Sequence, residues 1–465
     1  MNFDLAIVGG EVALPGRDPA PATVAVTGGK IAAIVQPGDK VEAKRTLDAS
    51  GLVVLPGVLD VHLHLGHGKD IARPRESRDA SLETAAAAVG GVTTFIPYLM
   101  ATEPFEQIFD DVRNVTESGA RIDFGYHFII STEAQLAGVP AYASDYGAPS
   151  FKIFMNNRGG EGKRLGLPDI DDGFLFRLCQ LSARNGGMVC PHPENIEVAW
   201  QLRKEVMEAD PKGSGGLASW NATRPPFVEA DAVQRAGLFA RNTGSPVYIV
   251  HTSSAQALDA ARVAREQGTR IYIETCPHYL THDVEWSGRE VGKINPPLRE
   301  AADRAVLWHG IASGLIDTVA TDHVHRDITA KEGGIWAASP GCPGLETLLP
   351  IMLSEGFHKR RIPIRRVVEI LCENPARIMG LRARKGMIAP GYDADFAIVD
   401  LDATTAVSNA NVVSSAGYSI YDGWELKGKV VHTIVRGQSV LMDGELVDAA
   451  IGHGRYLHRQ LQPQV

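Results

Sequence analysis

No apolar run in this 465-residue chain is long enough to cross a bilayer. Nor is there a basic excess: 46 Lys and Arg stand against 55 Asp and Glu, a net charge of -9. With both signs mixed, that balance offers no surface for nucleic acid. Cysteine is scarce. Cys179, Cys190, Cys276, Cys342 and Cys372 are odd in number and form no C-x-x-C pair. They read as reduced, mostly buried thiols, which leads us to expect a cytoplasmic protein. The opening Met1-Asn2-Phe3-Asp4 lacks the basic segment of a secretory signal, and the apolar run after it is short. The glycosylation-like triplets at Asn114 and Asn221 are therefore given no weight. Residues 213–216 are glycine-rich but are not G-x-G-x-x-G and follow no strand, so they read as a loop and not a phosphate cradle.

What is present is 44% hydrophobic residues, enough for a large core, in a length that suggests two or three domains. Residues 1–54 read as short strands with glycine turns: Asp4 to Val8 before Gly9-Gly10, Thr23 to Val26 before Gly28-Gly29. The stretch 386–465 has the same style. We expect one small β-sandwich domain built from both termini. The middle, residues 55–385, alternates. Strand-like runs at 53–61, 92–97, 122–128, 151–155, 188–190, 247–250, 271–274 and 318–320 are separated by helix-like segments such as 80–89, 231–241 and 255–266. Eight strands alternating with helices predict an α/β fold, a (β/α)8 TIM-like barrel, with a doubly wound sheet as the alternative. Chemically active residues recur at the C-terminal ends of many strands, and this favours the barrel.

Those residues begin with His62-Leu63-His64. On a strand, i and i+2 face the same way, so the two imidazoles can grip one ion. Two ordinary histidines would look the same. Lys152 stands inside the apolar run Ser150-Phe151-Lys152-Ile153-Phe154-Met155. Burying an ammonium is costly, so it is either a lysine snorkelling at a strand end or a modified or neutral amine. His192, His251 and Asp322 follow at later strand ends. Four histidines and an aspartate ending strands of one barrel point to a metal centre. Imidazole and carboxylate suit zinc or a similar divalent ion, metal-bound water is a nucleophile near neutral pH, and a neighbouring carboxylate can accept and deliver a proton.

The motifs Pro56-Gly57-Val58-Leu59-Asp60-Val61-His62-Leu63-His64, Phe151-Lys152, His192-Pro193-Glu194-Asn195, Val250-His251-Thr252-Ser253-Ser254, Glu274-Thr275-Cys276-Pro277-His278-Tyr279-Leu280, Asn295-Pro296-Pro297-Leu298-Arg299 and Ala320-Thr321-Asp322-His323 resemble the amidohydrolase superfamily. The nearest branch is the cyclic amidases: hydantoinase, dihydropyrimidinase, allantoinase and dihydroorotase. The resemblance spans nearly the whole chain in order. It implies two divalent metal ions, usually zinc, bridged by hydroxide and by a carbamylated Lys152. His62, His64 and Asp322 would hold the first ion, and His192 and His251 the second. The hydroxide would attack a ring amide carbon, and Asp322 would be the catalytic proton carrier. The implied partner is a small cyclic amide or ureide, with no nucleic acid or membrane, and the implied assembly is a homo-oligomer, a tetramer or dimer.

The departures concern the substrate. D-type hydantoinases and dihydropyrimidinases carry a tyrosine shortly after the carbamylated lysine; here Ile153-Phe154-Met155-Asn156-Asn157-Arg158 follows. We expect Asn156, Asn157 and Arg158 to take over that role. The arginine that dihydroorotases typically carry just past His-x-His is also missing, although the segment ending in Arg299 is dihydroorotase-like. Asn295 is either a substrate contact or a turn residue. The segment Gly341-Cys342-Pro343-Gly344, and Gly344 within it, is expected to offer backbone groups to the ring. His67 and His323 read as supporting residues. The sequence thus suggests a hydantoinase-like enzyme, with allantoinase or dihydroorotase as the alternative activity and a dihydropyrimidinase-related scaffold as the non-enzyme alternative.

Overall fold

The computed structural model describes residues 2–159 and 162–461, so residue 1 and residues 462–465 of the expected terminal domain lie outside it. Eight strands run parallel in chain order: Val58–Leu63, Val92–Leu99, His127–Ile129, Ser150–Phe154, Met188–His192, Val247–Ile249, Ile271–Thr275 and Thr318–Val319. Each pairs with the next. The ring closes where the last strand meets the first. The Asp322 N–H donates to the His62 carbonyl at 2.8 Å, and the His64 N–H to the His323 carbonyl at 2.9 Å. This is the expected barrel; an open, doubly wound sheet has no such closure. The strands read as continuous apolar runs because both faces are covered.

Several helices begin just past the strand ends that carry the candidate site, and side-chain caps fix those starts. Asn195 caps Ile196–Ala209, its side chain accepting from the Val198 N–H. Ser254 caps Ala255–Glu266, accepting from the Ala257 N–H. Each cap lies three residues after a site histidine, so strand end and helix start clamp the intervening loop.

The expected strand at 53–61 is in fact two. Val53–Pro56 leaves the barrel and pairs with Phe396–Ala406 in a seven-stranded sheet. Only Val58–Leu63 belongs to the barrel. The break falls at Gly57, whose N–H donates to the Asp395 carbonyl at 2.9 Å. A Cβ there would lie 2.0 Å from the Thr93 hydroxyl. The expected strand at 122–128 is likewise divided, into Asp123–Phe124 and His127–Ile129.

The seven-stranded sheet faces a four-stranded one made of Phe3–Val8, Thr23–Thr27, Lys30–Val35 and Ala43–Asp48. Their shared core joins Leu5, Ile7 and Val24 to Phe396, Ile398 and Ile434, so both ends of the chain build one β-sandwich. Between sandwich and barrel lies a buried ionic junction. Lys385 Nζ reaches Asp123 at 2.6 Å, Asp395 at 2.5 Å and Asp393 at 3.1 Å, and Arg436 reaches Asp123 at 3.0 Å. Among the described residues, no helix is long and apolar enough to cross a membrane.

Candidate active site

At the C-terminal mouth of the barrel, five strand ends bring six side chains together. His62 Nε2 lies 3.1 Å from Asp322 Oδ1 and 3.3 Å from Lys152 Nζ. His64 Nε2 lies 3.6 Å from the same Asp322 oxygen. His251 Nε2 and His192 Nδ1 are 2.8 Å apart, and the His62 and His251 rings are 5.3 Å apart between centroids. All six residues are buried. Donor atoms about 2.1 Å from one ion stand about 3.4 Å from one another at tetrahedral angles, and the His62, His64 and Asp322 spacings match that value.

The tautomers follow from the outer partners. His62 Nδ1 lies 2.5 Å from Glu274 Oε1. A carboxylate accepts, so Nδ1 carries the proton and Nε2 keeps its lone pair for the pocket. His192 donates from Nε2 to Glu194 Oε2 at 2.7 Å, which leaves Nδ1 free to ligate. Glu274 also accepts from the His251 backbone N–H and from the Tyr248 hydroxyl, both at 2.8 Å. One carboxylate therefore steadies two of the histidines. Burial pushes the Glu194 carboxyl up, but the Arg224 charge and the His192 hydrogen bond outweigh it and hold it at about 2.

Burial pulls His64 down to about 4 and His251 well below the usual range, so both are neutral and ligand-ready. Burial also lowers Lys152, which has no carboxylate in contact. Its Nζ stands 4.5 Å over the Tyr98 ring. Asp322 is depressed well below its ordinary value: burial opposes this, and the His62 and His64 rings against it outweigh burial. His251 and Asp322 are also held at positive φ, +40° and +48°. That backbone costs about 1–3 kcal/mol per residue and is kept where a side chain must be aimed. Two neutral imidazoles, each with its Nδ1 lacking a partner, an amine and a depressed carboxylate fit a pair of divalent ions.

The site opens into a cavity lined both by polar residues, Asn156, Asn157, Asn295 and Arg326, and by apolar ones, Ile71, Phe154, Leu165 and Val324. Asn295 turns a buried Oδ1 without a hydrogen-bond partner toward it. Asn157 is at the wall, but its amide is spent on the Pro168 carbonyl at 2.8 Å, and Asn156 donates to Glu194 at 3.0 Å. Two expected contacts fall elsewhere. Gly344 lies outside this cavity, its N–H donating to His323 Nδ1 at 3.1 Å, and Gly341 lines the wall in its place. Arg158 turns outward to pair with Glu197, so it cannot replace the missing tyrosine. Arg299 is also withdrawn: it is buried against Glu229 at 3.2 Å and Ser253 at 2.9 Å. His323 is a supporting residue, bonded to Glu83 at 2.9 Å, and His67 sits at the surface beside Asp79.

Comparison with known proteins agrees with this geometry. The profile of the Amidohydrolase family matches residues 234–440. An L-hydantoinase of Paenarthrobacter aurescens is 34% identical over 454 residues, covering 94% of each chain. The chain belongs to the amidohydrolase family. An allantoinase of Deinococcus radiodurans is 32% identical over 474 residues, covering 97% of this chain and 98% of that one. Among solved structures of the family, a D-hydantoinase from Bacillus sp. AR9 superposes with a TM-score of 0.89 at 29% identity, covering 99% of this chain and all of the other. Sequence reading passed over the two carboxylates that hold the outer sides of His62 and His192. Glu194 and Glu274 stood inside the quoted motifs, and the signal was available: each is a carboxylate at a strand end carrying, or lying beside, a ligand histidine.

Proposed function

We propose that this chain is a divalent-metal hydrolase that opens the C–N bond of a cyclic amide, with a hydantoin-type ring as the first candidate. The observation that carries the reading is the convergence of His62, His64, Lys152, His192, His251 and Asp322 beside a cavity lined by both polar and apolar side chains. The two relatives, named L-hydantoinase and allantoinase, support it over nearly the full length. Divalent ions held by this set, zinc being the natural choice, would supply a strong nucleophile from water at neutral pH and polarise the amide oxygen.

The rest of the work falls to the chain. Burial and the lack of a carboxylate in contact lower the Lys152 pKa, which favours the neutral amine, the form that adds carbon dioxide. The N–C bond would form with loss of one N–H proton to solvent, and the anionic carbamate so made would help hold the ions. Asp322 accepts the proton of the attacking water and returns it to the ring nitrogen as the C–N bond breaks. Asn295 offers its Oδ1 to a ring N–H. Ile71, Phe154, Leu165 and Val324 exclude water and receive the apolar part of the substrate. We also propose a cytoplasmic location, for which the five free buried cysteines speak, and a homo-oligomeric state.

Allantoin is the second reading, favoured by the full-length allantoinase relative. Dihydroorotate loses ground because Arg299 is spent on Glu229. Turnover of zinc-loaded protein on a 5-substituted hydantoin (each enantiomer), dihydrouracil, allantoin and dihydroorotate tests the proposal. Ring opening of the hydantoin ahead of the other three is expected. No turnover of any of them with metal bound would sink the reading.

A further inference from the structure

Beneath the site lies a charge with no counter-ion among the described residues. Residues 454–460 cross the N-terminal pole of the barrel. The Gly454 N–H donates to the Ala120 carbonyl at 2.8 Å, the Leu457 N–H to Phe124 at 2.6 Å and the Arg459 N–H to Gly147 at 3.0 Å. Arg459 is fully buried there. Its Nη2 donates to the Tyr126 carbonyl at 2.5 Å and to Ser150 Oγ at 2.8 Å, and its Nη1 to the Met379 carbonyl at 3.3 Å. Gly125 makes the room, since a Cβ there would stand 3.1 Å from the Arg459 Nε. A buried guanidinium with no carboxylate partner is expensive, so the fold retains it against a cost.

The hydrogen bonds upward from Arg459 have only one consistent direction. A guanidinium only donates. Ser150 Oγ therefore accepts from Arg459. The Val61 carbonyl, 3.0 Å from His127 Nε2, can also only accept, so neutral His127 carries its proton on Nε2. Nδ1 is then an acceptor, and the Ser150 hydroxyl donates to it at 2.6 Å. Val61 immediately precedes His62. The His127 ring also stacks on Tyr98 at 4.3 Å. Tyr98 in turn meets the His62 ring edge-on at 4.8 Å and carries Lys152 Nζ above its face.

We propose that Arg459 is a positioning residue: by donating to Ser150 Oγ it turns the hydroxyl proton onto His127 Nδ1, and the ring held in this way supports the strand and the aromatic ring that aim His62 and Lys152. The inference rests on the proposed reading of those two residues as parts of a metal site. It places a determinant of turnover at the opposite end of the barrel from the substrate.

The test uses full-length zinc-loaded protein: wild type, Arg459→Met, Ser150→Ala and the double variant. Nitrogen-15 NMR of the histidine rings, assigned with His127→Asn, reads the tautomer. In the wild type His127 shows an Nε2-protonated, Nδ1-accepting ring; in both single variants Nε2 stays protonated while the Nδ1 resonance moves toward that of a ring nitrogen accepting no hydrogen bond. On whichever ring the wild type opens best, each single variant loses about tenfold in kcat with little change in KM, and the double variant loses no more, because both substitutions cut one chain. Low guanidinium chloride restores part of the kcat of Arg459→Ala, while the same concentration of sodium chloride does not. An unchanged His127 signature in Arg459→Met, or losses that multiply in the double variant, would overturn the proposal. Should Arg459→Met fail to fold, Ser150→Ala carries the same two readouts with the loss of a single hydroxyl. A wild type that opens none of the rings defeats the functional reading alone, because the His127 signature still decides the role of Arg459.

Discussion

Two of the lysines that the molecule buries, Lys385 and Lys152, are treated in opposite ways. Lys385, at the junction of barrel and sandwich, has three aspartates within 3.1 Å. Burial lowers its pKa, but the Asp395, Asp123 and Asp393 charges more than reverse this and leave it raised. Lys152, at the barrel mouth, has an aromatic ring and a histidine nitrogen beside it and no carboxylate in contact, so burial wins and its pKa falls. The first is a fastener, because its charge is matched. The second is a reagent, because its charge is left unmatched. Depth alone does not separate structure from chemistry; the partner count does.

The sharpest break in this comparison is Lys152→Met. Turnover should fall by at least about a thousandfold, on the scale of losing one member of a unit that acts together. Yet the metal-free variant should melt no lower than metal-free wild type, because a buried amine with no carboxylate partner has been replaced by an apolar side chain. Calorimetry of the two metal-free proteins checks the second half, and a marked drop in Tm would show that Lys152 is a fastener after all. Asp322→Asn comes next, with an expected loss of about 10²–10⁴ in kcat while zinc is retained; an unimpaired rate would remove the carboxylate from proton transfer.

Lys385→Met should do the reverse of Lys152→Met. It takes from Asp395 its cation and leaves Asp123 to Arg436 and Asp393 to Lys30 and Arg384, and should cost about 3–5 kcal/mol in denaturant unfolding, with kcat per folded molecule unchanged. A smaller effect is expected of Glu274→Gln, about 10–100-fold in zinc affinity by competition with a chelator. The smallest concerns acid. Burial raises Asp393, but Lys385, Lys30 and Arg384 outweigh it and hold its carboxyl at about 2. A carboxyl held below its unfolded value, about 3.9, stabilises the fold above that value. Its contribution is then lost as pH falls from about 4 through 2. Acid titration of Asp393→Asn should lack that part of the slope.

The readability of the sequence follows the same division. His62 and His64 stood out because a period of two fixes which side chains share a face, and Lys152 because one ammonium interrupts an apolar strand. The eight barrel strands were legible for the same periodic reason, although the break at Gly57 was not. An apolar run buried by two different cores reads like one buried by a single core. The role of Lys385 could not be read, since Asp123 lies 262 residues away. Arg459 gave no sign either, because its partners are backbone carbonyls and one hydroxyl, which leave no mark in the sequence. The misplaced Gly344 and Arg158 are loop residues, and no periodicity tells where a loop points.

The central strand Val53–Pro56 has a consequence for synthesis. It is made early, but its partner Phe396–Ala406 emerges from the ribosome only after every barrel strand has been translated. For that whole interval its hydrogen-bonding edge is open, a template for pairing with another nascent chain. The hazard is greatest on a crowded polysome. Slower initiation or a cooler culture should therefore raise the soluble yield of this protein more than it would for a chain whose early strands find their partners at once.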